Sequence, residues 1–168
     1  FMRCAHYQDM EGWPSYWLGF PPLMHPTHAV APCLMLAGNR PESVYCKGSG
    51  EVRQEVRDAY GCPFAFESAL ISLKDSDVSI ELERFLYHVA RGYTESFNVY
   101  GDRKSFEWQQ LESEKPVMFS MEFDGDSNHV MNGYGRGGLV TESRIDIPDY
   151  ADRLPEEIGR FTQRTVYD

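Results

Sequence analysis

Residues 93–111, YTESFNVYGDRKSFEWQQL, decide what kind of sheet this chain builds. Two β-prone runs, Tyr93–Tyr100 and Ser105–Leu111, flank Gly101-Asp102-Arg103-Lys104, a short loop of turn-forming residues. Such a pattern predicts a hairpin. Working outward, VSIELE at 78–83 alternates, with Val78, Ile80 and Leu82 inward and Ser79, Glu81 and Glu83 outward, and its strand extends to Leu86. Phe64–Leu73 is another strand, with Phe64, Phe66 and Leu70 on one face, and the polar Lys74–Asp77 turns the chain between the two. Glu42–Lys47 and Val117–Phe123 add two more. The strands follow one another without helices of crossover length. The expectation is an α+β fold on an open, predominantly antiparallel sheet, with the strands from Phe64 to Phe123 as neighbours.

One short helix is predicted near the N-terminal end. Pro26 suits a first turn because its missing N–H is not needed there. Thr27–Ala37 is apolar on nearly every side, and Gly38-Asn39 stops it. It reads as buried all round, with Pro32 bending it or dividing it into two short turns. Trp13–Pro22, rich in aromatics and proline, reads as an ordered loop, and Glu51–Tyr60 as polar helix or irregular chain. Residues 1–12 carry few structural signals. A last helix candidate starts at Pro155, with Glu156 and Glu157 where the helix dipole favours acids. The uncapped start at Phe1 and the unfinished element at Asp168 read as cuts through a longer protein.

The chain has 168 residues, enough for one domain with a sizeable core, and 26 acidic against 16 basic side chains. A net charge of -10 repels phosphate backbones and anionic lipid surfaces, so neither nucleic acid nor a membrane is an expected partner. No apolar run approaches the roughly 20 residues that span a bilayer. Cys4, Cys33, Cys46 and Cys62 show no C-x-x-C spacing. Cys33 and Cys46, among apolar neighbours, read as buried free thiols, which favours a reducing, cytoplasmic compartment.

Chemistry concentrates in HPTH, residues 25–28. His25 and His28 are three apart, so both imidazoles can point one way and exchange protons near neutral pH. The alternative is a core histidine at 28, bonded to a backbone carbonyl, and a loop histidine at 25. A metal would need a third ligand, and none stands at motif spacing. Tyr16 and Trp17 are candidate sugar-stacking walls, or simply the cover of an ordered loop. Glu67 and Glu107 stand in strand patterns where solvent exposure is the commoner fate. GYGRGGL, residues 133–139, has G-x-G-x-x-G spacing but does not sit between a predicted strand and a predicted helix, so it is not read as a phosphate cradle.

YWLGFPPLMHPTHAVAPCLMLAG, then VYCKGSG, then YTESFNVYGDRKSFEW closely resemble the C-terminal domain of the Gfo/Idh/MocA oxidoreductases over roughly residues 13–123. The resemblance implies an α+β domain of the kind shared with the C-terminal domains of dihydrodipicolinate reductase and glyceraldehyde-3-phosphate dehydrogenase. It implies a nucleotide-binding Rossmann domain before Phe1, absent here, and NAD or NADP bound mainly by that domain. His28 matches the family histidine that flanks the substrate together with a Rossmann lysine. The acids found one turn before and three residues after that histidine are here Met24 and Ala31. Pro26-Thr27-His28 is also similar to a branch containing NAD-dependent glycosidases, with His25 in place of a tyrosine.

Residues 1–168 are thus expected to be part of a substrate-binding and oligomerisation domain of an oxidoreductase acting on a sugar or cyclic polyol. His28 is the catalytic candidate, and His25, Tyr16 and Trp17 the substrate-binding ones. A redox-assisted glycosidase is the alternative within the same scaffold. A third reading is a non-catalytic module, binding sugar or pairing copies through the open sheet face.

Overall fold

The computed structural model describes residues 1–111, 113–122 and 139–146. Eight strands form one sheet: β1 (Met2–Tyr7), β2 (Pro41–Glu51), β3 (Phe64–Leu73), β4 (Ser79–Phe85), β5 (Thr94–Tyr100), β6 (Lys104–Glu107), β7 (Val117–Glu122) and β8 (Leu139–Arg144). Their order across the sheet is β2-β3-β4-β1-β5-β6-β7-β8. Only β1 and β4 run parallel among these pairs. The hairpin at Gly101 closes as the turn chemistry predicts, with the Gly101 N–H donating to the Lys104 carbonyl at 3.1 Å. The expected helix at Pro155 and residue Phe123 lie outside the described residues.

Residues 1–12 are where the structure departs most from the sequence reading. Met2–Tyr7 is a central strand, inserted between β4 and β5, which are therefore not neighbours. It joins the parallel partner β4 to the antiparallel partner β5. No adjacent turn announces it, because both partners lie more than 70 residues along the chain.

Two helices complete the described fold: α1 (Thr27–Ala37) and α2 (Gln54–Tyr60). Helix α1 spans the predicted residues and ends at Gly38, whose φ of 59° is the left-handed cap that glycine adopts without strain. Pro32 does not divide it. As its nitrogen has no hydrogen, the ladder forgoes the bond to the His28 carbonyl one turn back. The helix is not buried all round either. Ala29, Val30 and Cys33 pack on Cys4, Ile71, Ile80 and Leu82 of the sheet, while Met35 and Leu36 face outward.

A second cluster gathers Met10, Val52, Val56, Ala65, Leu86 and Tyr87, and the Trp13–Pro22 loop lays Trp17 and Phe20 on it. Cys33 is buried, but Cys46 is exposed, because β2 is an edge strand with most of its side chains in solvent. Gly48 on β2 has a steric reason: a Cβ there would meet the Phe64 ring at 2.0 Å.

The β3 residues read as sharing a face, Phe66 and Leu70 among them, lie on the side away from α1; the buried ones are Ala65, Ala69, Ile71 and Leu73. That far face carries Arg3, bonded to Glu81 at 2.9 Å and Glu83 at 3.3 Å, and Tyr7, whose hydroxyl donates to Glu83 at 2.5 Å. Among the described residues no helix is long and apolar enough to cross a membrane.

Removing residues 1–7 takes from β4 and from β5 one of their two neighbours, splits the sheet at its centre and should abolish cooperative unfolding. Urea denaturation followed by circular dichroism checks this, and an unchanged transition would remove β1 from the sheet's centre.

Candidate functional site

The register of the central strands produces a change of chemistry across one face. Ala69, Leu82, Cys4 and Phe97 face one another in an apolar row beneath α1. One pleat further on, the same face presents Glu67, Arg84, His6 and Glu95, in that order from β3 to β5. Four polar side chains in line at the edge of a core require partners, since unpaired burial is costly.

Arg84 is the hub of the row. Its residue is 5% exposed, and its Nε–H donates to His6 Nδ1 at 3.2 Å. Its Nη1 donates to the Pro22 carbonyl at 2.6 Å and to the His25 carbonyl. Glu67 accepts the Leu23 N–H at 2.7 Å. The segment Pro22–His25, which feeds directly into α1, is therefore held to the sheet by two charged side chains. Burial lowers the Arg84 pKa to about 10, while Tyr93, Glu95 and Glu67 oppose that shift.

The held segment delivers His28 from the first turn of α1 to the end of the row. His28 Nδ1 lies 2.8 Å from Glu95 Oε1, and the Tyr93 hydroxyl donates to the same carboxylate oxygen. About half of the His28 side chain is in solvent. With Nδ1–H turned to a carboxylate, Nε2 keeps its lone pair free, the arrangement a general base requires. Burial first, then the hydrogen bond to Glu95, raises the Tyr93 pKa, so this phenol stays a donor.

The His6 ring lies beneath, 5.5 Å from the His28 ring and 5.3 Å from the Tyr93 ring. It is 2% exposed, and burial and the neighbouring Arg84 lower its pKa to about 4. His6 is thus neutral near neutral pH.

Of the residues singled out from sequence, the structure brings together His25 and His28, with ring centroids 6.2 Å apart. The His25 ring bonds Thr27 Oγ1 at 3.0 Å, while its backbone carbonyl takes the Arg84 bond. Tyr16 and Trp17 are not brought to this group. They stack on each other at 5.7 Å, Trp17 continues onto Phe20, and the Tyr60 hydroxyl bonds the Tyr16 carbonyl. Glu67 and Glu107 are bonded rather than free, the first to Leu23 and the second to the Tyr100 hydroxyl.

Sequence reading missed His6, Arg84, Tyr93 and Glu95. A signal existed for two of them: Arg84 continues the inward parity of Ile80 and Leu82, and Glu95 that of Phe97 and Val99. A cavity of about 290 Å³ lies elsewhere, between Tyr100, Glu107 and Phe119, and no histidine or cysteine lines it. Among the described residues no group of three metal-ligating side chains is placed to hold an ion.

No protein-family model and no curated protein matches the chain. Solved structures do. UDP-N-acetylglucosamine 3-dehydrogenase GnnA from Acidithiobacillus ferrooxidans superposes with a TM-score of 0.57 at 10% identity, over 98% of this chain and 46% of that one. An NAD binding oxidoreductase from Klebsiella pneumoniae gives 0.58 at 15% identity, over 96% and 42%. The chain thus spans less than half the length of either. What is shared is the fold: the open sheet found in C-terminal domains of Gfo/Idh/MocA-type oxidoreductases.

The depressed His6 pKa has a consequence for stability. The unfolded imidazole ionises near 6.5 and the folded one near 4, so unfolding takes up a proton between those values. Stability is fully present above pH 6.5 and is lost as pH falls toward 4, by about 1.4 kcal/mol for each unit of difference. The urea midpoint should fall over that window, and His6→Gln should flatten the dependence. An equal slope in the variant would assign the proton to another group.

Proposed function

We propose that this chain is the substrate-side domain of an NAD(P)-dependent oxidoreductase acting on a sugar or cyclic polyol. The observation that carries the reading is His28: half exposed, on the first turn of its helix, with Nδ1 fixed by Glu95. Glu95 fills the role of the acid that is absent at Met24. It arrives from a strand instead of from the preceding turn. The name of one matched structure, a UDP-N-acetylglucosamine dehydrogenase, is in keeping with a sugar substrate.

The chain's own part in the chemistry is proton handling and orientation. His28 Nε2 accepts the proton of the substrate hydroxyl as the carbinol carbon is oxidised, and Glu95 stabilises the imidazolium that forms. A bound nicotinamide would supply the hydride acceptor. Neither α1 nor α2 follows a glycine-rich turn of the kind that cradles a pyrophosphate, so these residues do not fit the dinucleotide's phosphates. We place those on a nucleotide-binding domain elsewhere in the complete protein. Met35 supports this arrangement. It stands seven residues, two helical turns, beyond His28 on the same stripe and is 82% exposed, an apolar surface that a neighbouring domain would cover.

Pro26-Thr27-His28 favours one second reading, redox-assisted glycoside cleavage at the same histidine. Assays of the complete protein with aryl glycosides against free sugars separate the two. We further assign the far sheet face to pairing with a second copy, since α1 and the Pro22–Met24 turn pack only on the opposite side of these strands.

In the complete protein His28→Ala should lower turnover by about a hundredfold or more, with thermal stability unchanged. The 168-residue chain alone should neither turn over nor bind NAD(P) at micromolar concentration. Unaltered turnover in the variant, or tight dinucleotide binding by the chain, would contradict the reading. Sedimentation equilibrium should show a dimer of the chain, and a monomer at all concentrations would remove the sheet face as an interface.

A further inference from the structure

We propose that His6 is a fixed hydrogen-bond donor for an uncharged oxygen of the ligand, a hydroxyl or the carbonyl it becomes, held between His28 and Tyr93. The proposal rests on the oxidoreductase reading only for the identity of that oxygen. The donor itself follows from the hydrogen bonds of the site.

Arg84 can only donate, so the 3.2 Å contact from its Nε–H makes His6 Nδ1 an acceptor. A neutral imidazole with an unprotonated Nδ1 carries its hydrogen on Nε2. That Nε2 is buried and has no partner at hydrogen-bond geometry among the described residues, the Gln8 side chain lying only near enough to oppose the lowering of the ring's pKa. A buried N–H left without an acceptor is destabilising, so one retained in a folded structure calls for an explanation. The His6 ring is flanked by those of His28 and Tyr93, at 5.5 and 5.3 Å between centroids, and both of these residues have large exposed surfaces.

The charge of the surroundings selects the ligand. Glu95 is in contact with both flanking side chains, and Glu67 stands on the far side of Arg84 in the same row. Together they offset the single guanidinium. An anionic group would meet two carboxylates for one buried cation. An uncharged polyol oxygen meets a donor in His6 and acceptors in Glu95 and His28. Burial keeps His6 neutral and therefore unable to give up its proton, so its role differs from that of His28. It positions the reacting oxygen and stabilises negative charge developing on it, while His28 carries the proton away.

Imidazole nitrogen–proton correlation spectra of the 15N-labelled 168-residue chain test this, with myo-inositol as the neutral probe and glucuronate as the anionic one. Between about pH 5 and 8 His6 should show a single Nε2–H tautomer that does not titrate. Inositol should move the His6 Nε2 resonance at lower concentration than glucuronate does. His6→Gln, which keeps an N–H donor, should hold inositol affinity within about threefold, and His6→Leu should lower it about tenfold, the value of one hydrogen bond. An Nδ1–H tautomer, inositol shifts that reach His28 and leave His6 unmoved, shifts at neither ring, or tighter glucuronate binding would each overturn the proposal. If His6→Leu does not fold, the tautomer and the shifts in the unaltered chain still decide. Normal turnover in His28→Ala sinks the dehydrogenase reading and leaves these spectra as they are, so the two failures are distinguishable.

Discussion

A guanidinium with no carboxylate in salt-bridge contact among the described residues sits where sheet, loop and helix meet, and the site depends on it. Arg84 donates to two backbone carbonyls of Pro22–His25 and to the ring of His6. Burying such a charge is expensive unless every donor finds an acceptor. Here the acceptors are the very groups whose positions matter. The two carbonyls fix the approach to α1, and hence where His28 lands. The imidazole nitrogen fixes the tautomer of His6. Glu67 and Glu95, one on each side in the same row, balance the charge without touching it. Loss of the guanidinium would leave three acceptors unpaired, at about 1–3 kcal/mol each.

Much of the sheet was legible because local patterns specify it. VSIELE alternates, GDRK turns, and FAFESALISL is a run of β-prone residues with an end at each side. In the structure Ile80 and Leu82 are buried and β3 spans Phe64–Leu73 as read. Strand β1 was not legible for a physical reason. MRCAHY alternates Met2, Cys4 and His6 against Arg3, Ala5 and Tyr7, a weak contrast in which Ala5 is buried too. What makes it a strand is pairing with residues 80–85 and 94–99, which no local pattern encodes. The polar row has the same character. Glu67, Arg84, His6 and Glu95 come from four separate strands, and only the register aligns them.

The opposite error came from the aromatics. Tyr16 and Trp17 stand close to His25 in the chain, and proximity suggested a shared wall. Trp17 instead serves the second cluster with Phe20, Val52 and Val56. Helix α1 was misread in a related way. THAVAPCLMLA has too much apolar surface to show a face, yet it buries only the stripe through Ala29, Val30 and Cys33. Leu36, like Met35, is left outside on a short helix that also exposes the catalytic candidate, His28. Under the proposed reading a second domain would close over this apolar surface and His28 together.

Amide hydrogen exchange in Arg84→Met tests most directly whether Arg84 builds the site. The Leu23 N–H, bonded to Glu67, and the Ala29 and Val30 N–H groups, bonded to the Pro26 carbonyl, report on the held segment. The account predicts faster exchange at these three positions while the amides of β3 and β4 keep their protection. Unchanged exchange at residues 23–30 in a folded Arg84→Met chain would contradict it, because the segment would then hold its place without the guanidinium.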